Sequence, residues 1–421
     1  MKKIAVLGLL CLFVFFFLST ARPASPPRLA WKVSGPANPE YEWVTMSTTG
    51  GGLVFTILKG KTWTFSTENG TFSETGSEII ALDLGGGQKR WSFNTQFPIN
   101  SPLLFLDGKL IVHDGYGDVF CLEAASGREI WKAERELHPG SWDEQTLPSA
   151  KDGSLYLREE NELLCRGLKN GQAVWRTPIE AVSNRRVFPA LIDDKIVLST
   201  AMDEALCFNS KDGRVLWKKK IGWLKDTVVA GGQTIFLANA DALQCLSLAD
   251  GREIWSYVAP PLEISANPRP PAAPKIPAEL WNVENAQALA AGNNHLFIVQ
   301  KRVRQPQGIL AGYEIACLNM DNKKPVWTYS LEESFAGFSL AGQAAIIVQG
   351  AKVTLLNSEN GNLLWDFQIP EEKGLRGQAL AVAGKILVVG TKGLYCLDTG
   401  DPRISGWPQC GGGARRSGRP G

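Results

Sequence analysis

The chain has 421 residues, of which 44% are apolar and 20% are charged. This balance excludes a wholly disordered, collagen-like or polytopic membrane protein. Lys and Arg total 44 and Asp and Glu total 42, so no strong long-range attraction to nucleic acid or anionic lipid is expected. The presence of 14 Trp and 43 Gly beside only 3 His favours a turn-rich aromatic scaffold over a catalyst that works through histidine.

Residues 1–21 have the features of a signal peptide. Lys2 and Lys3 provide a positive start, an uninterrupted apolar run extends from Ile4 to Leu18, and small residues follow at Ser19 and Ala21. The run is shorter than the ~20 apolar residues that span a bilayer. We therefore predict export to the periplasm or cell envelope with cleavage after Ala21. Retention of the segment as an uncleaved anchor is the alternative.

Two further observations concern membrane attachment. Cys11 lies inside the apolar run rather than after it, which argues against lipid attachment at this cysteine. No later stretch of the sequence approaches the length needed to cross a bilayer. We therefore expect a mature chain without a spanning segment, and we expect it to be a monomer.

A repeat of about 40 residues organises the rest of the chain. Each of seven units ends with an apolar strand, a short turn and Trp: Trp91, Trp131, Trp175, Trp217, Trp255, Trp327 and Trp365. Glycine stands four residues before six of them: Gly87, Gly127, Gly171, Gly213, Gly251 and Gly361. Ten residues before each Trp lies a small or apolar residue: Ala81, Cys121, Cys165, Cys207, Cys245, Cys317 and Leu355. An eighth unit, residues 393–398, repeats the strand and then departs from the pattern at Pro402.

Each unit is predicted to form four short antiparallel strands. In one of them the turn signals Asp107-Gly108 and Ser126-Gly127 separate successive strands, because glycine accepts positive φ without steric strain. Four strands repeated every ~40 residues are typical of a propeller blade. A helical solenoid is excluded, since no unit contains a ten-residue run with a period of 3.6. The sequence therefore predicts an all-β, eight-bladed β-propeller of four-stranded antiparallel blades.

Closure of the ring requires one additional outer strand, because the eighth unit has only three. Residues 27–33, which include Trp31, have the pattern of that strand, so we predict closure by the N-terminal segment. The alternative is that Trp407 supplies the strand and that Trp31 stays outside the ring.

The repeated small residue, turn, glycine and Trp resemble the repeat of pyrroloquinoline-quinone-type (PQQ-like, tryptophan-docking) β-propellers. The resemblance covers residues 28–400, with an insertion at 258–279. It implies that the seven repeated Trp side chains dock between neighbouring blades. The C-terminal tail, residues 401–421, with its Trp407-Pro408-Gln409 sequence, resembles a segment that accompanies such repeats in exported bacterial proteins. A more distant resemblance is to propellers that assist outer-membrane assembly, although the lipid-attachment cysteine is missing and the tail differs.

The cysteines are predicted to be structural thiols. Six occupy the same position of successive units, so they are rotated copies of one site rather than neighbours. A disulfide requires Cα atoms within about 7 Å, and equivalent positions of adjacent blades should lie farther apart. We therefore expect buried free thiols that act as small hydrophobic residues. Cys410 lies outside the repeat and is the candidate for an exposed thiol.

The sequence contains few candidates for catalysis. His113, His138 and His295 are widely separated, and no zinc, calcium, phosphate-binding or nucleophile motif is present. Quinone-binding members of the resembling family use adjacent cysteines and an acidic calcium site, and this chain has no Cys-Cys pair. We therefore predict no catalytic residues, no metal and no cofactor, because the repeat specifies a scaffold and not a reaction.

The connections of a blade predict two unlike faces. The turns from first to second strand and from third to fourth strand are short throughout. All long connections fall on the opposite face: Lys59–Ser77, Glu134–Thr146, Val258–Glu279 and Lys301–Gly312. Long loops on a rigid scaffold are where binding usually resides. The third connection is rich in proline and should be extended, and a passive spacer is the alternative interpretation.

The predicted function is non-catalytic binding of a protein or peptide through the face with the long connections. Tyr, Trp and Arg are enriched at protein interfaces, and the candidate residues in or beside these connections are Trp63, Tyr116, Trp142, Arg185, Arg186, Arg302 and Arg304. Arg302 and Arg304 are expected to be exposed charges that contribute little to stability. Two alternatives stay open: a PQQ-dependent or other oxidoreductase that uses the central channel, and a propeller that binds carbohydrate or another small ligand.

Overall fold

A computed structural model of the chain describes residues 26–35, 42–67, 70–134, 148–159, 161–179, 189–200, 204–222, 229–238, 242–259, 286–304, 309–409 and 412. Within these ranges the regular elements are 32 β-strands that form eight separate four-stranded sheets. The same ranges contain no helix that is long and apolar enough to cross a membrane. The predicted signal peptide, Cys410 and most of the 258–279 insertion lie outside the described residues.

The strands of the first four blades are given from the channel outwards. Blade 1 contains β2 (Glu42–Gly50), β3 (Leu53–Thr67), β4 (Gly70–Asp83) and β5 (Lys89–Thr95). Blade 2 contains β6 (Leu104–Leu106), β7 (Lys109–His113), β8 (Val119–Glu123) and β9 (Glu129–Ala133). Blade 3 contains β10 (Ser149–Lys151), β11 (Ser154–Glu159), β12 (Glu162–Gly167) and β13 (Ala173–Pro178). Blade 4 contains β14 (Ala190–Ile192), β15 (Lys195–Ser199), β16 (Glu204–Asn209) and β17 (Val215–Lys220).

The other four blades follow in the same order. Blade 5 contains β18 (Val229–Gly231), β19 (Thr234–Ala238), β20 (Leu243–Ser247) and β21 (Glu253–Tyr257). Blade 6 contains β22 (Ala286–Gly292), β23 (His295–Arg304), β24 (Ile309–Asn319) and β25 (Pro325–Leu331). Blade 7 contains β26 (Phe335–Ala341), β27 (Ala344–Gln349), β28 (Lys352–Asn357) and β29 (Leu363–Gln368). Blade 8 contains β30 (Leu375–Val382), β31 (Lys385–Gly390), β32 (Gly393–Asp398) and, as its outermost strand, β1 (Arg28–Ser34).

The N-terminal strand closes the ring, as predicted. β1 pairs antiparallel with β32, and this register places Trp31 opposite Cys396. At the channel, the innermost strand β30 of blade 8 contacts β2 of blade 1. The alternative closure by Trp407 is wrong, because that residue follows β32 and returns to the channel instead of adding an outer strand. The prediction of an all-β, eight-bladed propeller is confirmed.

The ten-residue spacing in the sequence is a cross-strand pair. Within each blade the small or apolar residue of the third strand lies directly opposite the Trp of the fourth, as in Cys121 opposite Trp131, Cys207 opposite Trp217 and Leu355 opposite Trp365. A β-bulge follows this pair in all three blades. The small side chain leaves room beside the large indole, which explains why the two residue types recur together.

The indole of each docking Trp packs on the last turn of the next blade. Trp91 Nε1 donates a hydrogen bond to the Ala124 carbonyl at 3.0 Å, and its ring lies so close to Gly127 that a Cβ there would be 2.6 Å from Cε3. Gly127 also has φ +75°. Glycine is therefore required both by the close approach of the indole and by the positive φ. Equivalent bonds join Trp131 to Leu168, Trp175 to Ser210, Trp217 to Leu248, Trp327 to Ser358 and Trp31 to Leu84. Trp31 is thus an eighth docking residue that the repeat spacing missed.

Two docking positions depart from this pattern. In blade 6 the glycine is replaced by Lys323, which has φ +60° and places its Nζ 5.9 Å from the centre of the Trp255 ring. Trp365 is buried, with 5% of its surface exposed, but its Nε1 has no hydrogen-bond partner among the described residues. Trp365 faces blade 8, the blade whose third and fourth strands are not joined by a turn.

The repeated cysteines are buried and free. Cys121, Cys165, Cys207, Cys245, Cys317 and Cys396 form no disulfide, so the prediction of structural thiols is confirmed for these six. Burial raises the pKa of the Cys121 thiol to about 11 and that of Cys207 to about 12. The neutral thiol is therefore the form present near neutral pH, and these cysteines are poor nucleophiles.

The hydrophobic core follows the ring. Most junctions between blades have their own compact cluster of buried residues, such as the cluster of Trp31 with Val54 at the junction of blades 8 and 1. The largest described cluster spans blades 6, 7 and 8 continuously and includes Ile404 and Trp407 of the C-terminal tail. Residues 404–407 of the tail are therefore part of the packed fold.

Candidate binding face

The two faces of the ring differ as predicted. We call the face that carries the turns between first and second strands and between third and fourth strands the short-turn face. Its hairpins are tight: two residues, Asp107 and Gly108, link β6 to β7, and both have positive φ. The opposite face, which carries the connections from second to third strand and from blade to blade, is the long-connection face.

One predicted loop on the long-connection face is a β-hairpin. Lys59–Ser77 was expected to be a long loop, but β3 and β4 continue to pair beyond Lys59 as far as Thr67 opposite Gly70. The expectation of a loop is wrong because residues 62–67 are rich in Thr, Trp and Phe, which favour strands. The Asn69-Gly70 dipeptide is a hairpin signal that could have identified this feature from the sequence.

A second hairpin projects from the same face in blade 6. The predicted connection Lys301–Gly312 is also largely paired, since β23 and β24 continue to Arg304 opposite Ile309 after a bulge at Arg302. In the described residues, two of the four predicted long connections are therefore extensions of paired strands. A paired strand loses less conformational entropy on binding than a flexible loop would.

Arg302 is held in a buried polar network at the base of the blade 6 hairpin. Its guanidinium donates to Glu314 Oε1 in a short ion pair. The same oxygen accepts from Gln300 Nε2 at 2.6 Å, and Gln300 Oε1 accepts from the Tyr257 hydroxyl of blade 5 at 2.8 Å. Burial, followed by the Glu314 charge, raises the pKa of Tyr257 to about 12. The expectation that Arg302 is an exposed charge is wrong, because its side chain is half-buried and is paired with the buried Glu314.

Tyr116 lies on the turn between β7 and β8 of blade 2. Its ring is half-buried and stacks on Phe97 with centroids 3.7 Å apart and planes at 19°. The preceding Asp114 closes this turn, because its Oδ1 accepts from the amides of Tyr116 and Asp118, each at 3.0 Å. Tyr116 is thus presented by an ordered turn on the long-connection face.

The same turn contains an incompletely satisfied acid. Asp114 is 1% exposed, and its Oδ2 has no hydrogen-bond partner in the part of the chain that the structure describes. Burial, together with repulsion from the Asp118 carboxylate, raises the pKa of Asp114 to about 7. Ser101 Oγ lies 3.4 Å from Nδ1 of the neighbouring His113, which is also buried.

The remaining predicted partner residues are only partly placed. The backbone of Trp63 lies in β3 opposite Glu74, and that of Arg304 ends β23. Their side chains lie outside the described residues, as do Trp142, Arg185 and Arg186 entirely. The structure therefore brings Trp63, Tyr116, Arg302 and Arg304 to one face, on blades 1, 2 and 6.

Sequence reasoning did not single out Glu372, which organises the long-connection face between blades 7 and 8. Its Oε2 accepts from the Tyr395 hydroxyl at 2.9 Å and from the Lys392 amide at 3.1 Å, while Oε1 accepts from Thr391 Oγ1 and from the Lys373 amide. Burial alone would raise the pKa of Glu372, but these hydrogen bonds outweigh it and lower the pKa to about 2. Glu372 is a structural anion that fixes two connections.

The short-turn face also has a concave site, although its turns are short. A cavity of about 320 Å³ lies between blades 3 and 4 and is lined by residues that include Tyr156, Val174 and Lys211. Val174 is 62% exposed. Elsewhere in the lining, Lys151 donates to the Asp193 carbonyl at 2.9 Å. Among the described residues, no three His, Cys, Asp or Glu side chains converge on a position that would hold a metal ion.

Comparison with known families identifies the scaffold. A family model described as outer membrane protein assembly factor BamB matches residues 28–257 and 275–403. The chain belongs to this family. The match covers all eight blades, so it agrees with the repeat read from the Trp spacing and with the ring closed by β1.

Individual relatives of the chain are of two kinds. It is 21% identical over 203 residues to outer membrane protein assembly factor BamB of Yersinia pestis, which covers 45% of this chain and 52% of that protein. It is 27% identical over 207 residues to tetrathionate hydrolase of Acidithiobacillus ferrooxidans, which covers 43% of this chain and 41% of the hydrolase. The chain thus spans about half or less of the length of the curated relatives it matches.

The solved structures that resemble the chain likewise include both an assembly factor and an enzyme. BamB from Moraxella catarrhalis has a TM-score of 0.57 at 10% identity, covering 88% of this chain and 97% of that one. Quinohemoprotein alcohol dehydrogenase from Comamonas testosteroni has a TM-score of 0.62 at 12% identity, covering 90% and 77%. At these identities the similarity shows the propeller fold alone.

Proposed function

We propose that the protein is a non-catalytic scaffold, exported to the periplasm or cell envelope, that binds a protein or peptide partner in outer-membrane protein assembly. The observation that carries the proposal is the pair of ordered hairpins, β3–β4 and β23–β24, on the long-connection face. Membership of the assembly-factor family supports the same function. Tyr116 on its ordered turn and the Trp63 position of β3 lie on this face, and both residue types are enriched at interfaces.

A crosslinking experiment tests this proposal. A photo-crosslinking amino acid is placed at Trp63 on the blade 1 hairpin and, as the matched control, at Lys109 beside a tight turn of the short-turn face. The full chain is expressed in a Gram-negative host, and covalent adducts in the envelope fraction are identified by mass spectrometry. We expect adducts with outer-membrane assembly components from position 63 and none from position 109. Equal yields from both positions, or adducts from position 109 only, would contradict the assigned face.

Shortening the blade 1 hairpin gives a second test that does not depend on one side chain. Lys59 and Ser77 lie opposite each other in the register, so an Asn-Gly turn can join them and remove the projection without changing the blade. We expect thermal stability to fall little, since the removed pairs lie beyond the packed core. With the photo-crosslinking amino acid placed at Tyr116 on the same face, we expect the yield of adducts to decrease at least tenfold. Retention of full adduct yield would show that the hairpin is not part of the binding surface.

Catalysis is the second candidate function, and the similarity to tetrathionate hydrolase supports this candidate. Purified protein is tested for tetrathionate hydrolysis and for the absorbance of a bound quinone. The scaffold proposal expects neither. Turnover that survives removal of the blade 1 hairpin would replace the scaffold proposal with an enzymatic one.

A further inference from the structure

The C-terminal tail crosses the seam of the ring at the channel. We call residues 401–409 the hub segment. Trp407 pairs with Ala381 of the innermost strand β30 through two backbone hydrogen bonds, at 2.8 and 3.1 Å. The Thr49 amide of β2 then donates to the Pro408 carbonyl at 2.8 Å. The segment therefore joins blade 8 to blade 1 by backbone hydrogen bonds next to the channel.

Gln409 extends this connection to blade 2. Its Oε1 accepts from Thr48 Oγ1 of blade 1 and from the Phe105 amide of blade 2, each at 3.1 Å. Gln409 is 3% exposed and Trp407 is fully buried. One carbonyl oxygen thus links two innermost strands, and the segment spans three consecutive blades.

The seam has a specific weakness that this segment offsets. In blade 8 no turn joins the third strand to the fourth, so β1 is held to β32 by non-covalent pairing alone. At the rim, Trp31 docks on Gly87 and donates to the Leu84 carbonyl at 3.0 Å. If β1 separated from β32, blade 8 would keep a link to blade 1 only through contacts nearer the channel.

We propose that the hub segment is a second latch on the ring, which keeps blades 8, 1 and 2 together at the channel while β1 closes the same seam at the rim. The two latches act in parallel, so the ring opens only when both release. These contacts lie near the short-turn ends of the innermost strands β30, β2 and β6.

Hydrogen exchange of individual amides in the full chain tests the latch. In Gln409→Ala, the amide of Phe105 loses its acceptor and should exchange at least tenfold faster. In Trp407→Ala, the amides of Ala381 and Thr49 should also exchange at least tenfold faster, while those of β19 in blade 5 keep their rates. Trp217→Ala is the matched control, because it removes a docking Trp far from the seam and should leave Ala381 and Thr49 protected.

Two results of the exchange experiment would contradict the latch. Unchanged protection at Ala381, Thr49 and Phe105, or an equal acceleration at every amide including β19, would overturn the proposal. If Trp407→Ala does not fold, Gln409→Ala alone decides, because Gln409 is the smaller of the two buried side chains.

Coupling between the two latches gives a second readout. Trp31→Ala combined with Gln409→Ala should lower the melting temperature by more than the sum of the single changes, because either latch alone keeps the seam closed. Trp217→Ala combined with Gln409→Ala should be additive. Strict additivity of the first pair would show that the two closures do not act in parallel.

Discussion

The seam between blades 8 and 1 and the junction between blades 4 and 5 are built on the same docking unit but are secured differently. In each, a Trp packs on a glycine and donates to a carbonyl of the next blade: Trp31 to Leu84 and Trp217 to Leu248. Each junction also has its own compact apolar cluster. The difference is that the tail adds backbone hydrogen bonds at the channel side of the seam. The repeated residues form the docking contact at each junction. At the seam, where no turn joins β32 to β1, contacts from residues outside the repeat add to this docking contact.

The largest effect is expected from removal of the rim closure. Deleting Arg28–Ser34 removes all pairing of β32 with β1, removes the buried Trp31 and leaves an open sheet edge that promotes misassociation. We expect destabilisation above the roughly 3–5 kcal/mol of truncating one buried Trp, with loss of monomer. Thermal unfolding and size-exclusion chromatography measure both. Trp217→Ala, at the junction of blades 4 and 5, is the control and should stay monomeric. A deletion variant with the melting temperature and monomer yield of wild type would refute closure by β1.

A smaller effect is expected from the docking glycines. In Gly213→Ala the new Cβ would lie 2.5 Å from Trp175 Cε3 at a residue with φ +71°. Backbone strain and overpacking together should destabilise by roughly 2–4 kcal/mol. Lys323→Gly is the reverse change at the one described docking turn with a non-glycine residue, and relief of its positive φ should offset the lost contact with Trp255 to within about 1 kcal/mol. Urea unfolding measures both, and a neutral Gly213→Ala would contradict the close docking.

Much of this architecture could be predicted from the sequence because it repeats. The Trp and glycine spacings fix blade number, cross-strand pairing and docking, since one local geometry recurs in every unit. The hub segment could not be predicted, because Trp407 finds its position only when β30 and β2 are already adjacent in space. The geometry of the candidate binding face was predicted in part. The side of the ring that carries the long connections follows from connection length, whereas the pairing of Arg302 with Glu314 depends on a side-chain direction that spacing does not encode.

Glu372 joins the connection between blades 7 and 8 to the connection between β31 and β32, close to the seam. Glu372→Gln presents an amide NH₂ to groups that donate, so at pH 7 it should destabilise by roughly 1–3 kcal/mol. The pKa of Glu372 is lowered from 4.5 to about 2 in the folded protein. The contribution of this carboxylate is therefore fully present above pH 4.5 and is lost as the pH falls towards 2. Denaturant unfolding at pH 7 and at pH 3 should show the difference between wild type and variant shrinking at the lower pH; a constant difference would contradict the assigned role.

The contribution of Asp114 in blade 2 to stability is expected to change with pH in the opposite direction. Its pKa is raised from 3.8 to about 7, so the folded state binds the proton more tightly than the unfolded state. Its stabilising contribution is complete below pH 3.8 and is lost as the pH rises through 7. Asp114→Asn keeps the oxygen that accepts from the amides of Tyr116 and Asp118 and removes the buried charge.

This variant should therefore match wild type near pH 4 and be more stable at pH 8, by about 1–2 kcal/mol. Thermal unfolding across this pH range measures the change. Asp118→Asn is the control, because it removes the partly exposed pair with Lys132 and should lower stability by at most about 1 kcal/mol. Since Tyr116 is presented by the same turn, crosslinking from Tyr116 at pH 6 and pH 8 should depend on pH less in Asp114→Asn than in wild type. A variant less stable than wild type at pH 8 would show that the Asp114 carboxylate has a partner in the folded protein.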